Sequence, residues 1–176
     1  MHRLLAAVAF CLLSSLSHAT TPSHTNMIAT PEAVQVELAQ AHPSTLYMHA
    51  RKLFEEGRRD EAVVWFYIGQ LRFRYHLLAN PGLPADGEPA VMDALNATLG
   101  QTINEWAGGK PQQWIAAIEQ ALAWDEAHPN PTTPKARHAS ELEEIRQGLR
   151  GLADYIRTNL DEIAAQRRAN GLDNGS

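Results

Sequence analysis

The segment from about Asp60 to Ala79 constrains the fold of this chain more than any other stretch. Drawn as a helix, it is apolar on two opposite sides. One side carries Ala62, Phe66, Phe73 and Leu77, and the other carries Val64, Ile68, Leu71, Tyr75 and Leu78. A helix with two apolar sides must lie between neighbouring helices, so we predict that it is central. Gly69 would let a neighbour approach its backbone closely, at a cost of about 1 kcal/mol relative to Ala.

The flanking segments repeat the helical spacing of apolar residues, and none shows the long alternation of apolar and polar residues that is typical of a strand. We therefore predict an all-α fold of antiparallel helical hairpins with a long C-terminal helix. The further predicted helices run from Thr30 to about Ala41, Thr45 to Glu56, Glu88 to about Ala107, Pro111 to about Trp124 and Ser140 to about Asn170. Loops rich in proline separate them at 80–87 and 128–134.

Sequence signals at the helix ends set these predicted boundaries. The candidate N-caps are Thr30, Ser44, Asp60 and Ser140, the last forming a capping box with Glu143. Gly57 is predicted to follow the C-cap of a helix, because glycine adopts a positive φ at little cost.

Residues 1–19 have the pattern of a cleavable signal peptide. Arg3 supplies a positive charge, an apolar run follows, and small residues precede the predicted cleavage site between Ala19 and Thr20. The apolar run is shorter than the roughly 20 residues that a membrane-spanning helix needs. We therefore expect a periplasmic or secreted protein with no stable membrane anchor after cleavage.

The remaining chain is predicted to contain one domain. Residues 20–29 are rich in Thr, Ser, His and Pro, and we predict a flexible leader there, a single helical domain over 30–170 and a disordered tail over 171–176. The one cysteine, Cys11, lies in the predicted signal peptide, and Phe10 before it does not fit a lipoprotein site. The mature chain would then form no disulfide, so its stability must come from packing.

The net charge argues against one class of partner. The full chain has 15 Lys and Arg residues against 20 Asp and Glu residues, a net charge of −5. Removal of Arg3 with the signal peptide leaves 14 against 20, or −6. Because nucleic acid attracts basic surfaces, we do not expect it as a partner.

The hairpin predicted over 46–81 resembles a tetratricopeptide or Sel1-like helical repeat. The positions that carry the resemblance are Ala50, Leu53, Gly57, Ala62, Phe66 and Pro81. The resemblance implies a scaffold of paired helices that binds a protein or peptide, and it implies no enzymatic activity. An ordinary antiparallel helix bundle with a similar hairpin is the alternative.

The sequence contains no motif for catalysis or cofactor binding. It has no glycine-rich phosphate loop, nucleophile elbow or His-Glu-x-x-His motif, and its histidines lack the spacing of a metal-binding pair on one helix. We therefore expect no cofactor, no metal site and no catalytic set. A candidate ligand-binding cluster lies in the central hairpin and consists of His49, Gln70, Arg72, Arg74 and His76.

These observations predict an exported protein- or peptide-binding module, with an immunity or inhibitor protein as a specific form of it. The alternative is a small enzyme or an anion-binding domain that uses His49, Arg72, Arg74 and His76. The arrangement of these four side chains discriminates between the two hypotheses. Convergence on one pocket would favour the alternative, and separate locations would count against it.

Overall fold

The computed structural model of this protein describes residues 26–173, and it confirms the all-α fold class, because every regular element in that range is helical. The elements are α1 (Glu32–Gln40), α2 (Pro43–Glu55), α3 (Arg59–Ala79), α4 (Glu88–Leu95), a π-helical turn (Asn96–Gly100), α5 (Gln101–Gly108), α6 (Pro111–Ala127), α7 (Ala139–Thr158) and α8 (Leu160–Ala169). None of these helices is both long and apolar enough to cross a membrane. The predicted signal peptide, its cleavage site and Cys11 lie outside the described residues.

The predicted central helix is confirmed as α3. Every residue from Glu61 to Ile68 is buried, and the helix packs against α2, α5, α6 and α7. Both of its apolar sides therefore contribute to the core. At Gly69, a Cβ atom would lie only 2.9 Å from the ring of Tyr47 and 3.3 Å from the Cβ of Leu46. The glycine is what allows α2 to pack this closely against α3.

The end of α2 agrees with the prediction, whereas the starts of α2 and α3 differ from it. Gly57 follows α2 with a φ of +83°. The N-cap of α2 is His42, whose Nδ1 accepts a hydrogen bond from the backbone N–H of Ser44 at 3.3 Å, so the prediction of Ser44 as the cap is wrong. Pro43 explains the shift, because proline favours the first helical position. α3 begins one residue before Asp60, which lies in its first turn and is not its cap.

Residues 26–29, at the end of the predicted leader over 20–29, and Thr30, the predicted N-cap of the first helix, are hydrogen-bonded to α3 and α6. The N–H of Met27 donates to Gln120 Oε1 on α6, and the N–H groups of Ala29 and Thr30 donate to Glu61 Oε1 on α3. The Thr30 hydroxyl donates to the same carboxylate at 2.7 Å, and the N-cap of α1 is Pro31, with no side-chain cap bond. The end of the predicted leader is thus part of the folded domain.

The predicted long C-terminal helix is in fact two helices, α7 and α8, which meet at Asn159. The backbone leaves the helical region there, with φ −123° and ψ 33°. The side chains of Thr158 and Asn159 donate to the carbonyl oxygens of Asp154 and Tyr155, at 2.9 and 2.7 Å. Such local side-chain bonds compete with the helical hydrogen bonds and account for the break.

The predicted capping box at Ser140 does not form. α7 begins one residue earlier, and its N-cap, His138, makes no side-chain cap bond. Ser140 Oγ donates to Glu141 Oε2 at 2.7 Å, and Glu143 accepts hydrogen bonds from later residues of α7. The start of α7 is therefore close to the predicted position, but the hydrogen bonds of a capping box are not formed there.

The region just after α8 follows the prediction only in part. Gly171 has a φ of +71°, as expected for a residue that ends a helix. The N–H of Leu172 donates to Arg167 O at 2.9 Å, so the start of the predicted tail is bonded to α8. Residues 174–176 lie outside the described range.

The helix predicted over 88–107 is interrupted by the π-helical turn between α4 and α5. In this turn, Asn96 Oδ1 accepts hydrogen bonds from Tyr47 OH at 3.1 Å and from Gln70 Nε2 at 3.3 Å. A Cβ atom at Gly100 would lie 3.1 Å from the ring of Phe66. The turn thus meets both α2 and α3, and turns of this type are frequent at functional sites.

Candidate functional site

His49, the first of the five predicted ligand-binding residues, has partners within the fold. Its Nε2 lies 3.1 Å from Thr30 Oγ1, and its ring meets the ring of Trp65 edge-on, with 4.9 Å between the centroids. Burial lowers the pKa of His49, and the attraction of Glu61 offsets this only in part. The ring therefore joins the N-terminal segment to the core.

Arg72 lies in the centre of the fold, with 0% of its side chain exposed. Its Nε donates to Asp125 Oδ1, and its Nη1 and Nη2 donate to the carbonyl oxygens of Ala39 and Pro129, each at 2.9 Å. The guanidinium also lies 4.8 Å from the centroid of the Trp124 ring. These contacts leave no face of Arg72 available to a ligand from solvent.

Asp125 is equally buried, and it pairs with two cations besides Arg72. Arg146 Nη2 lies 2.9 Å and Lys135 Nζ lies 3.5 Å from its Oδ2. Burial lowers the pKa of Lys135, and the carboxylate of Asp125 opposes that change. Because the three cations come from α3, α7 and the loop after α6, Asp125 ties these parts of the fold together.

Gln70 and Arg74 line a cleft of about 380 Å³ between α3, α5, α6 and α7. The apolar part of its lining consists of Leu71, Trp114, Ile145, Leu149 and Leu152. A second cleft, of about 360 Å³, continues between α5, α7 and α8 and shares Asn104, Trp114 and Leu152 with the first. We call the two clefts together the α7 groove.

A chain of hydrogen bonds crosses the floor of the α7 groove. Trp114 Nε1–H donates to the Tyr67 hydroxyl at 2.7 Å, and that hydroxyl donates to Asn104 Oδ1 at 2.9 Å. Burial raises the pKa of Tyr67, so the hydroxyl keeps its proton at neutral pH. Asn104 is exposed, and no residue between 26 and 173 accepts a hydrogen bond from its Nδ2. This amide can donate to a bound molecule.

Arg74 and Gly148 contribute to the two long walls of the α7 groove, on α3 and α7 respectively. Arg74 is exposed, and none of the carboxylates in the described part of the chain forms an ion pair with it. At Gly148, an added Cβ atom would meet no other atom within 4 Å. The α3 wall therefore presents a cation to a ligand, and the α7 wall leaves room for one at Gly148.

His76 belongs to a separate cluster with His42 and Glu88. His76 Nε2 lies 2.9 Å and His42 Nε2 lies 3.3 Å from Glu88 Oε2, and the three atoms are within 4.8 Å of one another. His42 is the N-cap of α2, His76 lies in the last turn of α3, and Glu88 is the first residue of α4. The five predicted residues therefore do not share one pocket, and only Gln70 and Arg74 lie together.

Helical spacing does not predict this cluster, because its members come from three different helix ends. The sequence nevertheless contains a signal for the two residues that were missed. His42 and Glu88 each precede a proline, Pro43 and Pro89, at the start of a helix. Helix starts that flank the same hairpin can meet in space even when their residues are far apart in the chain.

Comparison with known proteins identifies no family. No family model and no solved structure matches the chain. An uncharacterised protein of Haemophilus influenzae is 34% identical over 98 residues, which cover 54% of this chain and 37% of that protein. The chain thus matches little more than a third of the length of this relative. The resemblance of the α2–α3 hairpin to tetratricopeptide or Sel1-like repeats stays a prediction.

Proposed function

We propose that this chain is an exported helical protein that binds another protein or a peptide in the α7 groove. The observation that carries the proposal is the continuity of the two clefts through Asn104, Trp114 and Leu152. Two adjoining clefts lined by both polar and apolar side chains suit an elongated ligand that carries both kinds of group. The lining residues of α7 run from Ile145 to Ile156, about 16 Å along the helix, enough for about five extended residues.

The polar groups of the α7 groove match the chemistry of a polypeptide. A bound peptide brings backbone N–H and C=O groups that need partners, and the side-chain amides of Asn104 and Gln70 lie on the lining. Arg74 adds a cation that has no ion pair within the described range. We infer that the bound segment carries an acidic residue for Arg74 and apolar residues for the apolar side chains of the lining.

The predicted signal peptide and the repeat-like hairpin support a more specific form of this proposal. A periplasmic or secreted location would restrict the partner to proteins of that compartment. Some Sel1-like helical proteins act as immunity or inhibitor proteins, so neutralisation of a partner protein is the specific role that we propose within this class. The acidic net charge of the chain argues against nucleic acid as the bound molecule.

The alternative function, an enzyme or anion-binding domain, required His49, Arg72, Arg74 and His76 to converge. His49 lies against Trp65, Arg72 is enclosed by its partners, and His76 lies with His42 and Glu88. Only Arg74 faces the α7 groove. Their separate locations support the binding hypothesis over the alternative.

Site-specific photo-crosslinking in the native host tests the proposal. A photoreactive residue at Gly148 should form an adduct with one partner, and the adduct should be lost when Arg74→Glu reverses the charge of the groove. The same photoreactive residue at Val36, which is exposed on α1, serves as the control. The absence of an adduct at position 148, or equal adducts at both positions, would contradict the proposal.

A further inference from the structure

The cluster of His42, His76 and Glu88 has the geometry of a metal-binding site. Zinc is bound tetrahedrally at about 2.0–2.1 Å from histidine nitrogen and 2.0–2.2 Å from carboxylate oxygen, which places the ligand atoms about 3.4 Å apart. The two His-to-Glu88 distances here are 3.3 and 2.9 Å, and all three atoms lie within 4.8 Å. Small side-chain adjustments would therefore bring the three atoms to ligand positions.

The outer nitrogen of each imidazole is held by a hydroxyl group. His42 Nδ1 lies 2.8 Å from Ser44 Oγ, and His76 Nδ1 lies 2.8 Å from Thr133 Oγ1. Histidines that bind metals almost always have such an outer partner, which fixes the ring with its other nitrogen toward the ion. Both Nε2 atoms lie close to Glu88 Oε2, at 3.3 Å for His42 and 2.9 Å for His76, and this proximity is what a shared metal ion requires.

The hydrogen bonds around the two imidazoles also allow a metal ion to take the place of protons on the Nε2 atoms. Without an ion, His42 Nε2 can donate a proton to Glu88 Oε2 at 3.3 Å, while His76 Nε2 lies 2.9 Å from the same oxygen. With an ion on Nε2, each imidazole carries its proton on Nδ1 and donates it to Ser44 Oγ or Thr133 Oγ1, since a hydroxyl both donates and accepts. Two long contacts are given up, from the backbone N–H of Ser44 to His42 Nδ1 at 3.3 Å and from Asn80 Nδ2 to His76 Nδ1 at 3.5 Å.

We propose that His42, His76 and Glu88 bind one divalent transition metal ion of the zinc class. Two imidazoles and one carboxylate favour zinc and its transition-metal neighbours over magnesium and calcium, which prefer oxygen ligands. The side chains of His42 and Glu88 are 37% and 36% exposed, so the ion is accessible from solvent and water completes its coordination. His76, at 12%, anchors the site to α3.

A bound ion would add a link between three helix ends that side-chain packing and loops already bring together. It would connect the start of α2 with the end of α3 and the start of α4, across the loop over 80–87. Since Thr133 holds His76, the loop between α6 and α7 is also attached to the site. The inferred role of the ion is to clamp this end of the hairpin.

The test uses the full chain without an affinity tag, stripped with a chelator and titrated with zinc ions by calorimetry. We expect one equivalent to bind, and we expect zinc to raise the melting temperature. His42→Gln, His76→Gln and Glu88→Gln should each weaken binding at least about a hundredfold. Thr133→Val, which removes an outer partner, should weaken it about 10–100-fold. Cobalt ions in place of zinc should give visible absorption that requires His76.

Control variants separate this site from other histidines. His138→Gln, at the start of α7, and a variant with His2, His18 and His24 all changed to Gln should bind zinc as the wild type does. Melting curves of the metal-free variants show whether each one folds. The proposal is overturned if zinc does not bind, or if one equivalent still binds with unchanged affinity to folded His42→Gln and His76→Gln. In that case the cluster is only a hydrogen-bonded group.

Discussion

At the scale of single residues, Asp125 is the polar group on which the core depends most. It is fully buried and pairs with Arg72, Arg146 and Lys135, so that one carboxylate faces three cations. Desolvation of such groups is costly, and the cluster is stable only while the charges stay paired and hydrogen-bonded. Removing the carboxylate would leave every cation of the cluster without its counter-ion.

Asp125→Asn should therefore lower the free energy of unfolding by about 3–5 kcal/mol, the range for breaking a buried ion pair. The matched control is Asp154→Asn, because Asp154 also pairs with an arginine, Arg157, but is 72% exposed. That change should cost no more than about 1 kcal/mol. Urea unfolding monitored by circular dichroism measures both. Equal effects of the two substitutions would show that the buried cluster does not stabilise the fold.

His49 and Glu61 should make stability depend on pH. Burial lowers the pKa of His49 below its ordinary 6.5. Burial alone would raise the pKa of Glu61, but hydrogen bonds from Thr30 and Arg58 together lower it below its ordinary 4.5. In both cases the unfolded chain binds protons that the folded chain does not, so stability is lost as the pH falls.

The free energy of unfolding should thus decrease first as the pH drops below about 6.5, through His49, and again below about 4.5, through Glu61. His49→Gln should remove the first decrease, and Glu61→Gln should reduce the second. Unfolding curves in urea at a series of pH values measure this. A first decrease that persists unchanged in His49→Gln would rule out this assignment.

The roles of individual polar residues could be predicted only in part. The spacing of Gln70 and Arg74 puts them on one of the two polar strips of α3, and both line the same cleft. Arg72 lies on the neighbouring strip, yet it is buried, because Asp125, 53 residues away, provides a counter-ion inside the core. The spacing of residues on one helix does not reveal a partner on another.

At the scale of secondary structure elements, Gly148 and Gly151 weaken α7 without a packing reason. Both glycines lie in the interior of the helix, both are exposed, and an added Cβ atom would meet nothing within 4 Å at either position. Glycine inside a helix costs about 0.5–1 kcal/mol relative to Ala. Gly148 lines the α7 groove, where a side chain would take up space.

Gly148→Ala and Gly151→Ala should each raise the free energy of unfolding by about 0.5–1 kcal/mol, and the double variant should show roughly the sum. Chemical denaturation of the three variants and the wild type measures the effect. Gly69→Ala is the opposite case, because its Cβ would lie 2.9 Å from Tyr47, so it should destabilise the fold. If Gly148→Ala instead lowered the free energy of unfolding, the space beside position 148 would not be free for a side chain.

The positions of most helices could be predicted, whereas their internal interruptions could not. Apolar spacing indicated α3 and α6 closely, and Gly57 marked the end of α2. The break at Asn159 escaped prediction because the apolar spacing of α7 continues through α8. The π-helical turn at 96–100 adds one residue to a helical turn, and its partners Tyr47 and Gln70 lie on other helices.

At the scale of the whole molecule, export is the proposal with the simplest test. If residues 1–19 are a signal peptide, the protein recovered from the periplasm or the medium should begin at Thr20. Intact-mass measurement of protein from cell fractions determines this. A full-length chain retained in the cytoplasm would contradict export, and it would leave the metal-site proposal untouched.

The α7 groove is also a property of the whole molecule, and the sequence could not indicate it. Its walls come from α3, α5, α7 and α8, and its floor includes Trp114 of α6. No sequence pattern in any of these segments indicates that it packs beside the others around one groove. The hydrogen bonds from Trp114 through Tyr67 to Asn104 form only when the helices are assembled.

Binding in the α7 groove is tested most directly by the dissociation constant of the crosslinked partner, measured for Gly148→Glu against Gly151→Glu. Both substitutions add the same charge and a good helix former to exposed positions of α7, but only position 148 lines the groove. We predict that Gly148→Glu weakens binding at least about tenfold, about 1.4 kcal/mol, while Gly151→Glu stays within about twofold of the wild type. Equal affinity of the two variants would show that the partner binds elsewhere.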